Sequence, residues 1–268
     1  MLEVIILGFV QGLTEFLPVS SSGHLTLVQV FFNWKNPETN LVFDIILHFG
    51  TLLAVIWFFR KDLLPYFTIS GWKDPTRRRL ALMVVAASVP TAAIGIGFKK
   101  TFEAMFASPP TVCLFLMVTA ILLFIADKFA KRGETCDIQT ISPLKAIIVG
   151  IFQGIAVAPG ISRSGATISS GIFCGLSGVE SARFSFLLMI PAVGGATLLE
   201  AKKIFVSGLP ADINLEMAIV GGIVAMITGF MALRFLMAFL KEQRLRYFSY
   251  YLAIVSSCSW VALTFFRS

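Results

Sequence analysis

Charge is scarce in this chain. Lys, Arg, Asp and Glu make up 14% of the 268 residues, against 57% hydrophobic residues and a mean hydropathy of +0.85. A soluble domain of this size carries far more polar sequence, so the scarcity excludes one. Cysteine is thin as well. Cys113, Cys174 and Cys258 fall in apolar runs and Cys136 in a basic loop. No metal-ligand spacing or disulfide framework emerges from them, and they read as small buried hydrophobes. The start lacks the basic stretch of a secretory leader: Met1 to Val10 carries Glu3, and no small-residue cleavage site follows. It reads as mature protein. The net charge of +7 is not a nucleic-acid signal, because the basic residues sit in short clusters between apolar runs. They read as topogenic charges and as contacts for anionic lipid headgroups.

What the chain has in abundance is apolar runs near the ~20 residues that cross a bilayer core. Six such segments lie at about 41–59, 80–98, 111–126, 182–200, 217–239 and 247–266. Three basic loops separate them: Arg60, Lys61, Lys73 and Arg77 to Arg79; Lys128, Lys131, Arg132 and Lys145; Lys241, Arg244 and Arg246. The positive-inside rule puts all three in the cytoplasm. The loops near 99–110 and 201–216 then face outside, although Lys99, Lys100, Lys202 and Lys203 dilute the bias. Trp34, Trp57, Trp72 and Trp260 read as interfacial anchors, and most of the 26 Phe as packing or lipid-facing residues.

Two stretches are copies of one another. Gly8, Gln11, Gly12, Ser20 and Gly23 recur as Gly150, Gln153, Gly154, Ser162 and Gly165, and 150 − 8, 153 − 11, 162 − 20 and 165 − 23 all give 142. Both copies break an apolar pattern with Pro or Pro-Gly and a run of serines. The loop assignment makes residues 1–40 start and finish outside and residues 146–181 start and finish inside. Each copy therefore dips into the membrane and returns, from opposite faces. The expected fold is all-α and polytopic, one integral membrane domain over 1–268 with six transmembrane helices and two re-entrant helical hairpins. It forms a three-plus-three inverted repeat of halves at about 1–127 and 146–268. Irregular backbone at membrane depth is tolerable only inside protein or beside a water-filled cavity, so the tips are expected to meet near the midplane.

The tips carry the chemistry. Each has a short helix with a GxxxG pattern for close approach, a proline stop at Pro18 or Pro159, and a serine turn that starts a second helix. Serine caps a helix start, and the exposed N–H groups with the helix dipole favour an anion. Arg163 adds a planar cationic fork suited to phosphate oxygens. At membrane depth it needs an anionic partner, and an Arg163–Glu15 pair that only holds the hairpins together is the bland alternative. Gln11 and Glu15, four apart, share a helix face, and Ser21 and His24 lie three apart across the turn. Histidine can move a proton and serine can attack phosphorus. Glu15 with Gln11 could orient His24, act as a base, or hold a hard divalent cation. Asp44 and His48 read as a buried hydrogen-bonded pair or as lining of a path to the site. Asp127, Glu134, Asp137 and Glu180 read as solvated.

At this point a resemblance enters. Gln11-Gly-Leu-Thr-Glu15-Phe-Leu-Pro-Val-Ser-Ser-Ser-Gly-His24 resembles the (E/Q)xxxE plus PxSSxGH signature of the undecaprenyl-diphosphate phosphatases of the bacitracin-resistance type, and Pro159 to Thr167 resembles their PGxSRSxxT motif. The resemblance runs the whole length. It implies a hydrolase that removes the terminal phosphate of undecaprenyl diphosphate and recycles the lipid carrier for cell-wall glycans. It places Glu15, Ser21, His24 and Arg163 in catalysis and Gln11, Ser20, Ser22, Gly160, Ser162, Ser164 and Thr167 against the substrate. Glu15 and Gln11 are the expected ligands of a divalent cation, Mg2+ or Ca2+, read from their oxygen chemistry; against the family signature Gln11 is the less acidic variant, which weakens a two-carboxylate site and shifts weight onto Glu15. The partners the resemblance implies are a polyprenyl diphosphate and membrane lipids, with no nucleic acid; a homodimer stays open. The expected location is the bacterial inner (plasma) membrane, with the site open to the outer face. A secondary transporter or lipid flippase is the alternative, since inverted repeats with broken helices mark transporters. A purely structural scaffold would leave the paired tips unexplained.

Overall fold

A computed structural model describes residues 2–32, 37–130, 136–207, 215–242 and 244–265. Thirteen α-helices run through them. The first copy forms α1 (Leu2–Phe16) and α2 (Ser21–Phe31). Then come α3 (Pro37–Phe58), the short α4 (Arg60–Leu63) and α5 (Ile69–Lys73), α6 (Pro75–Gly97), α7 (Lys99–Phe106) and α8 (Pro109–Ala130). The second copy forms α9 (Pro143–Ile155) and α10 (Arg163–Phe173), followed by α11 (Gly178–Ser207), α12 (Leu215–Phe239) and α13 (Arg246–Phe265). No strand forms among the described residues; Cys136 and Leu176 make an isolated parallel bridge.

Among the described residues, five helices are long and apolar enough to cross a membrane: Pro75–Gly97, Pro109–Ala130, Gly178–Leu199, Leu215–Glu242 and Arg246–Phe265. A sixth follows if Phe43–Phe58 and Arg60–Phe67, bent by 70° at their junction, count as one span. The connection expected near 99–110 is largely helical, because α7 forms there with a Lys99–Glu103 ion pair at 3.6 Å. Asp127, expected in solvent, is buried and accepts the N–H of Arg246 at 3.2 Å, which ties the end of α8 to the start of α13. Glu180 pairs with Arg183 at 3.3 Å, and Asp137 caps a short turn at Gln139. Trp57, Trp72 and Trp260 are exposed. Trp34, Lys131, Arg132 and Glu134 lie outside the described residues.

Glycine sets the packing. A Cβ added at Gly8 would meet the Gly221 backbone, and one at Gly12 would run into Thr228 and the Ala225 carbonyl, so α1 lies backbone to backbone on α12. Gly150 sits the same way on the Ala87 carbonyl and Gly154 on Ile94, which joins α9 to α6. Thr91 Oγ1 donates to the Gly150 carbonyl at 2.8 Å, and Gln153 donates to Thr91 at 3.3 Å. The first helix of each copy thus packs on a long helix from the other half of the sequence. Close backbone approach is how helices associate where lipid removes the hydrophobic drive.

Each copy breaks for local reasons. Pro18 cannot continue α1, and Ser20, at φ +69°, is the one non-glycine residue with positive φ among the described residues. Its Oγ caps α2 by accepting from Gly23 N at 3.2 Å. In the second copy Gly160 takes the left-handed turn at φ +94°, and Ser162 caps α10 by accepting from Gly165 N at 3.0 Å.

Gly150→Ala is expected to lower unfolding stability by about 1–3 kcal/mol, because its methyl group meets backbone that cannot rotate away. Gly195→Ala, with nothing within 4 Å of the added carbon, is expected to be neutral or slightly stabilising. Thermal unfolding in detergent checks the pair; equal effects would remove the backbone-contact account.

Candidate active site

The two turns meet. Arg163, the first residue of α10, forms an ion pair with Glu15 of α1, between residues 148 apart in sequence. Ser164 reinforces the junction by donating to the Leu17 carbonyl at 3.0 Å. Glu15 is buried at 5% exposure, and four groups surround its carboxylate. Oε1 takes Arg163. Oε2 accepts Ser21 Oγ at 2.5 Å and Gln11 Nε2 at 3.1 Å, with His48 Nε2 at 3.5 Å. One carboxylate thus gathers α1, α2, α3 and α10. The cost of burying charge is met by pairing it and satisfying its remaining lone pairs.

Ser21 and His24 do not form the couple that their spacing suggested. Ser21 donates to Glu15, whereas His24 Nδ1 bonds the Ser20 carbonyl at 2.8 Å and Nε2 meets the Tyr251 hydroxyl at 2.8 Å. The physical reason lies in the cap. Ser20 opens α2, so its carbonyl faces the side chain four residues on, and the His24 ring turns there. A carbonyl only accepts, so Nδ1 carries the proton and Nε2 receives the Tyr251 O–H. The imidazole and the Tyr251 ring are nearly parallel, their planes 6° apart and their centroids 5.7 Å apart.

The other expected residues divide. Gln11 is fully buried beside Glu15 and also reaches Thr51 at 3.5 Å. Ser20 and Ser22 share a contact at 3.3 Å at the first turn, and Ser162 and Ser164 share one at 3.1 Å at the second. Thr167 is committed elsewhere, to the Arg163 carbonyl at 2.8 Å and to Ser185 of α11 at 2.6 Å. Gly160 gives its carbonyl to Thr119 at 3.1 Å, and an added Cβ would strike Val112. Asp44 and His48 are not joined side chain to side chain. The Asp44 carboxylate takes Gln29 at 3.0 Å, and His48 Nδ1 bonds the Asp44 carbonyl at 2.7 Å, which aims the other ring nitrogen at Glu15. Thr51 and Tyr251 were missed. Thr51 lies one turn past His48 on α3, a spacing that sequence could have flagged; Tyr251 gave no signal.

Among the described residues no group of three His, Cys, Asp or Glu is placed to hold a metal. Gln11 Oε1 and Arg163 Nη1 are buried without a hydrogen-bond partner. Buried polar atoms without partners are costly, and at a site of this kind they point to a ligand.

Long apolar helices around a shielded polar centre make this a multi-pass membrane protein. The chain belongs to the family of the bacitracin resistance protein BacA, whose sequence model matches residues 4–258. It is 43% identical to an undecaprenyl-diphosphatase of Carboxydothermus hydrogenoformans over 254 residues, 94% of each chain. It is 40% identical to one of Alkaliphilus metalliredigens, covering 95% of this chain and 96% of that one. A third relative of the same name, from Desulfosudis oleivorans, is 40% identical over 98% of both.

Glu15→Gln keeps the shape and leaves Arg163 without its counter-charge. It is expected to cost roughly 3–5 kcal/mol of stability, most of which returns in the double variant Glu15→Gln/Arg163→Gln. Thermal unfolding of the three proteins in detergent checks this. A double variant no more stable than Glu15→Gln would show that the pair does not hold the turns together.

Proposed function

We infer that this chain is an undecaprenyl-diphosphate phosphatase, releasing inorganic phosphate and undecaprenyl phosphate and thereby conferring bacitracin resistance. The observation that carries the reading is the convergence of Ser21, Glu15 and Arg163 from two separate turns, with Arg163 Nη1 buried and unpartnered. An arginine fork with a free N–H at a helix start suits a phosphate group. As the diphosphate enters, Arg163 turns to its oxygens, and the N–H groups that open α2 and α10 face the same charge. Glu15, released from the guanidinium, keeps Ser21 and accepts its proton. The attacking oxygen, Ser21 Oγ or a water in its place, forms a bond to the terminal phosphorus. The bond to the bridging oxygen breaks, and its electron pair leaves on the lipid monophosphate. Where Ser21 is the nucleophile, a water then attacks the phosphoserine phosphorus, the Oγ–P bond breaks, Ser21 Oγ takes a proton back, and inorganic phosphate leaves. His24 and His48 flank this path as groups able to hold and return a proton.

Glu15 and Gln11 fit a divalent cation, Mg2+ or Ca2+. One carboxylate and the unpartnered Gln11 Oε1 are oxygen donors of the kind such ions take, and substrate oxygens would complete the set. When bound, the ion would add positive charge on the diphosphate oxygens.

The arrangement that suits this function is a three-plus-three inverted repeat in the bacterial plasma membrane. Six spans surround two re-entrant hairpins, α1–α2 from the outer face and α9–α10 from the inner, and the site opens outward. The exchange of packing partners supports it, since α1 on α12 and α9 on α6 are the two contacts that one two-fold relation interconverts.

Phosphate release from undecaprenyl diphosphate by detergent-solubilised protein tests the function, because transport is impossible there. Arg163→Lys is expected to lose at least about tenfold in kcat/KM, a point charge being unable to reproduce the fork. Near-normal turnover of both Arg163→Lys and Arg163→Ala would overturn the clamp. For the topology, single cysteines in a cysteine-free background are expected to label from the cytoplasm at Arg78 and Arg244 and from outside at Pro37. Labelling of positions 37 and 78 from one side would remove the inverted repeat.

A further inference from the structure

Below the turn of the first hairpin lies a groove of about 380 Å³ that the chemistry above does not use. Leu13 and Leu17 of the first hairpin form one wall, and Phe235 and Phe239 of α12 with Tyr247 and Tyr251 of α13 form the other. The aromatic wall is fixed in place. Phe239 meets Phe248 edge-on at 5.2 Å and Tyr247 at 6.3 Å, and it stacks with Phe235 at 5.6 Å. Phe235, Tyr247 and Tyr251 are about half exposed, so the groove opens sideways to lipid.

The groove is continuous with the polar centre. Tyr251 belongs to both: its ring lines the groove and its hydroxyl meets His24 Nε2 at 2.8 Å. Its direction follows from the glycine contacts. Gly8 lies at Gly221, Gly12 at Ala225 and Phe16 at Gly229, so α1 and α12 run side by side in the same direction. Phe239 is ten residues past Gly229, about 15 Å farther along a helix. The groove therefore prolongs the line of α1 beyond its tip. A lipid whose charged head rests at the tip, entering from the side where α1 begins, would lay its chain along that line.

We propose that this groove holds the head-proximal part of the isoprenoid chain of the substrate, and that Tyr251 marks the boundary between chain and diphosphate. The assignment rests on the phosphatase reading and adds what that reading leaves out: how a lipid diphosphate is told from a soluble one. An ordinary membrane lipid would meet only the open side. An occupant anchored at Arg163 has its chain delivered into the groove, where each buried CH2 contributes about 0.8 kcal/mol. Concave, largely preformed apolar surface beside a few placed polar groups is the usual form of a small-ligand site.

The test uses the full-length protein in detergent and a farnesyl diphosphate carrying a diazirine on its isoprenoid chain. Photolabelling is expected on the peptides holding Phe235 to Phe239 and Tyr247 to Tyr251, and excess undecaprenyl diphosphate is expected to compete it away. Leu13→Trp, which narrows the groove from an exposed position, is expected to raise KM for undecaprenyl diphosphate about tenfold while lowering kcat much less. Leu82→Trp, on the exposed face of α6, serves as the control. Label on other helices with phosphate release intact would overturn the groove and leave the function standing. Label in the groove with no phosphate released by the wild-type protein would overturn the function and leave the groove. Equal KM changes in Leu13→Trp and Leu82→Trp would also count against the groove.

Discussion

A guanidinium and a carboxylate in the middle of an apolar bundle decide much of this architecture. Neither Arg163 nor Glu15 is affordable alone at that depth, and each is supplied by a turn that helix geometry would otherwise forbid. Their pairing explains why two broken helices meet at all. It also explains why the serine turns are so thoroughly bonded: Ser20, Ser162 and Ser164 spend their hydroxyls on caps and on the neighbouring turn, so irregular backbone does not leave polar groups bare. Around that centre the remaining sequence can be almost wholly apolar.

On the proposed function, the same pairing is also a means of recognition. A buried ion pair yields little net stability over well-packed apolar residues, so its retention is better explained by something that displaces it. An anion offering several oxygens can take Arg163 from Glu15 without leaving the arginine uncompensated. Glu15 is then returned to the serine it already touches. On the proposed function, binding and activation become one event, because the group paired with Glu15 is the group that receives the ligand.

Much of this was legible in the sequence, and the limits have physical causes. The offset of 142 between the copies pointed to the two turns that meet in the structure. The cost of a membrane arginine named its partner, and apolar run length gave five candidate spans to within a few residues and the sixth as a bent pair. What spacing could not tell was orientation within the turn. Ser21 and His24 are close in sequence, but the Ser20 cap rotates one toward Glu15 and the other toward Tyr251. Residues brought in from other elements were beyond local pattern. His48 was noticed for its neighbour Asp44, yet its ring nitrogen faces a carboxylate 33 positions earlier, and Tyr251 arrives from the far end of the chain. Thr167 shows the converse: a motif position whose hydroxyl serves the packing of α10 on α11.

The glycine contacts bear on motion. Backbone meets backbone where Gly8 lies on Gly221 and Gly150 on Ala87, so α1 and α12, and α9 and α6, are closely seamed. Each pair joins the first half of the sequence to the second. The halves are therefore interlocked like clasped hands. Rocking one against the other, the stroke by which many repeat-built carriers expose a site to alternate sides, would pull both seams apart. An opening that leaves both seams intact would run between the two clasped pairs, along the line where the turns meet.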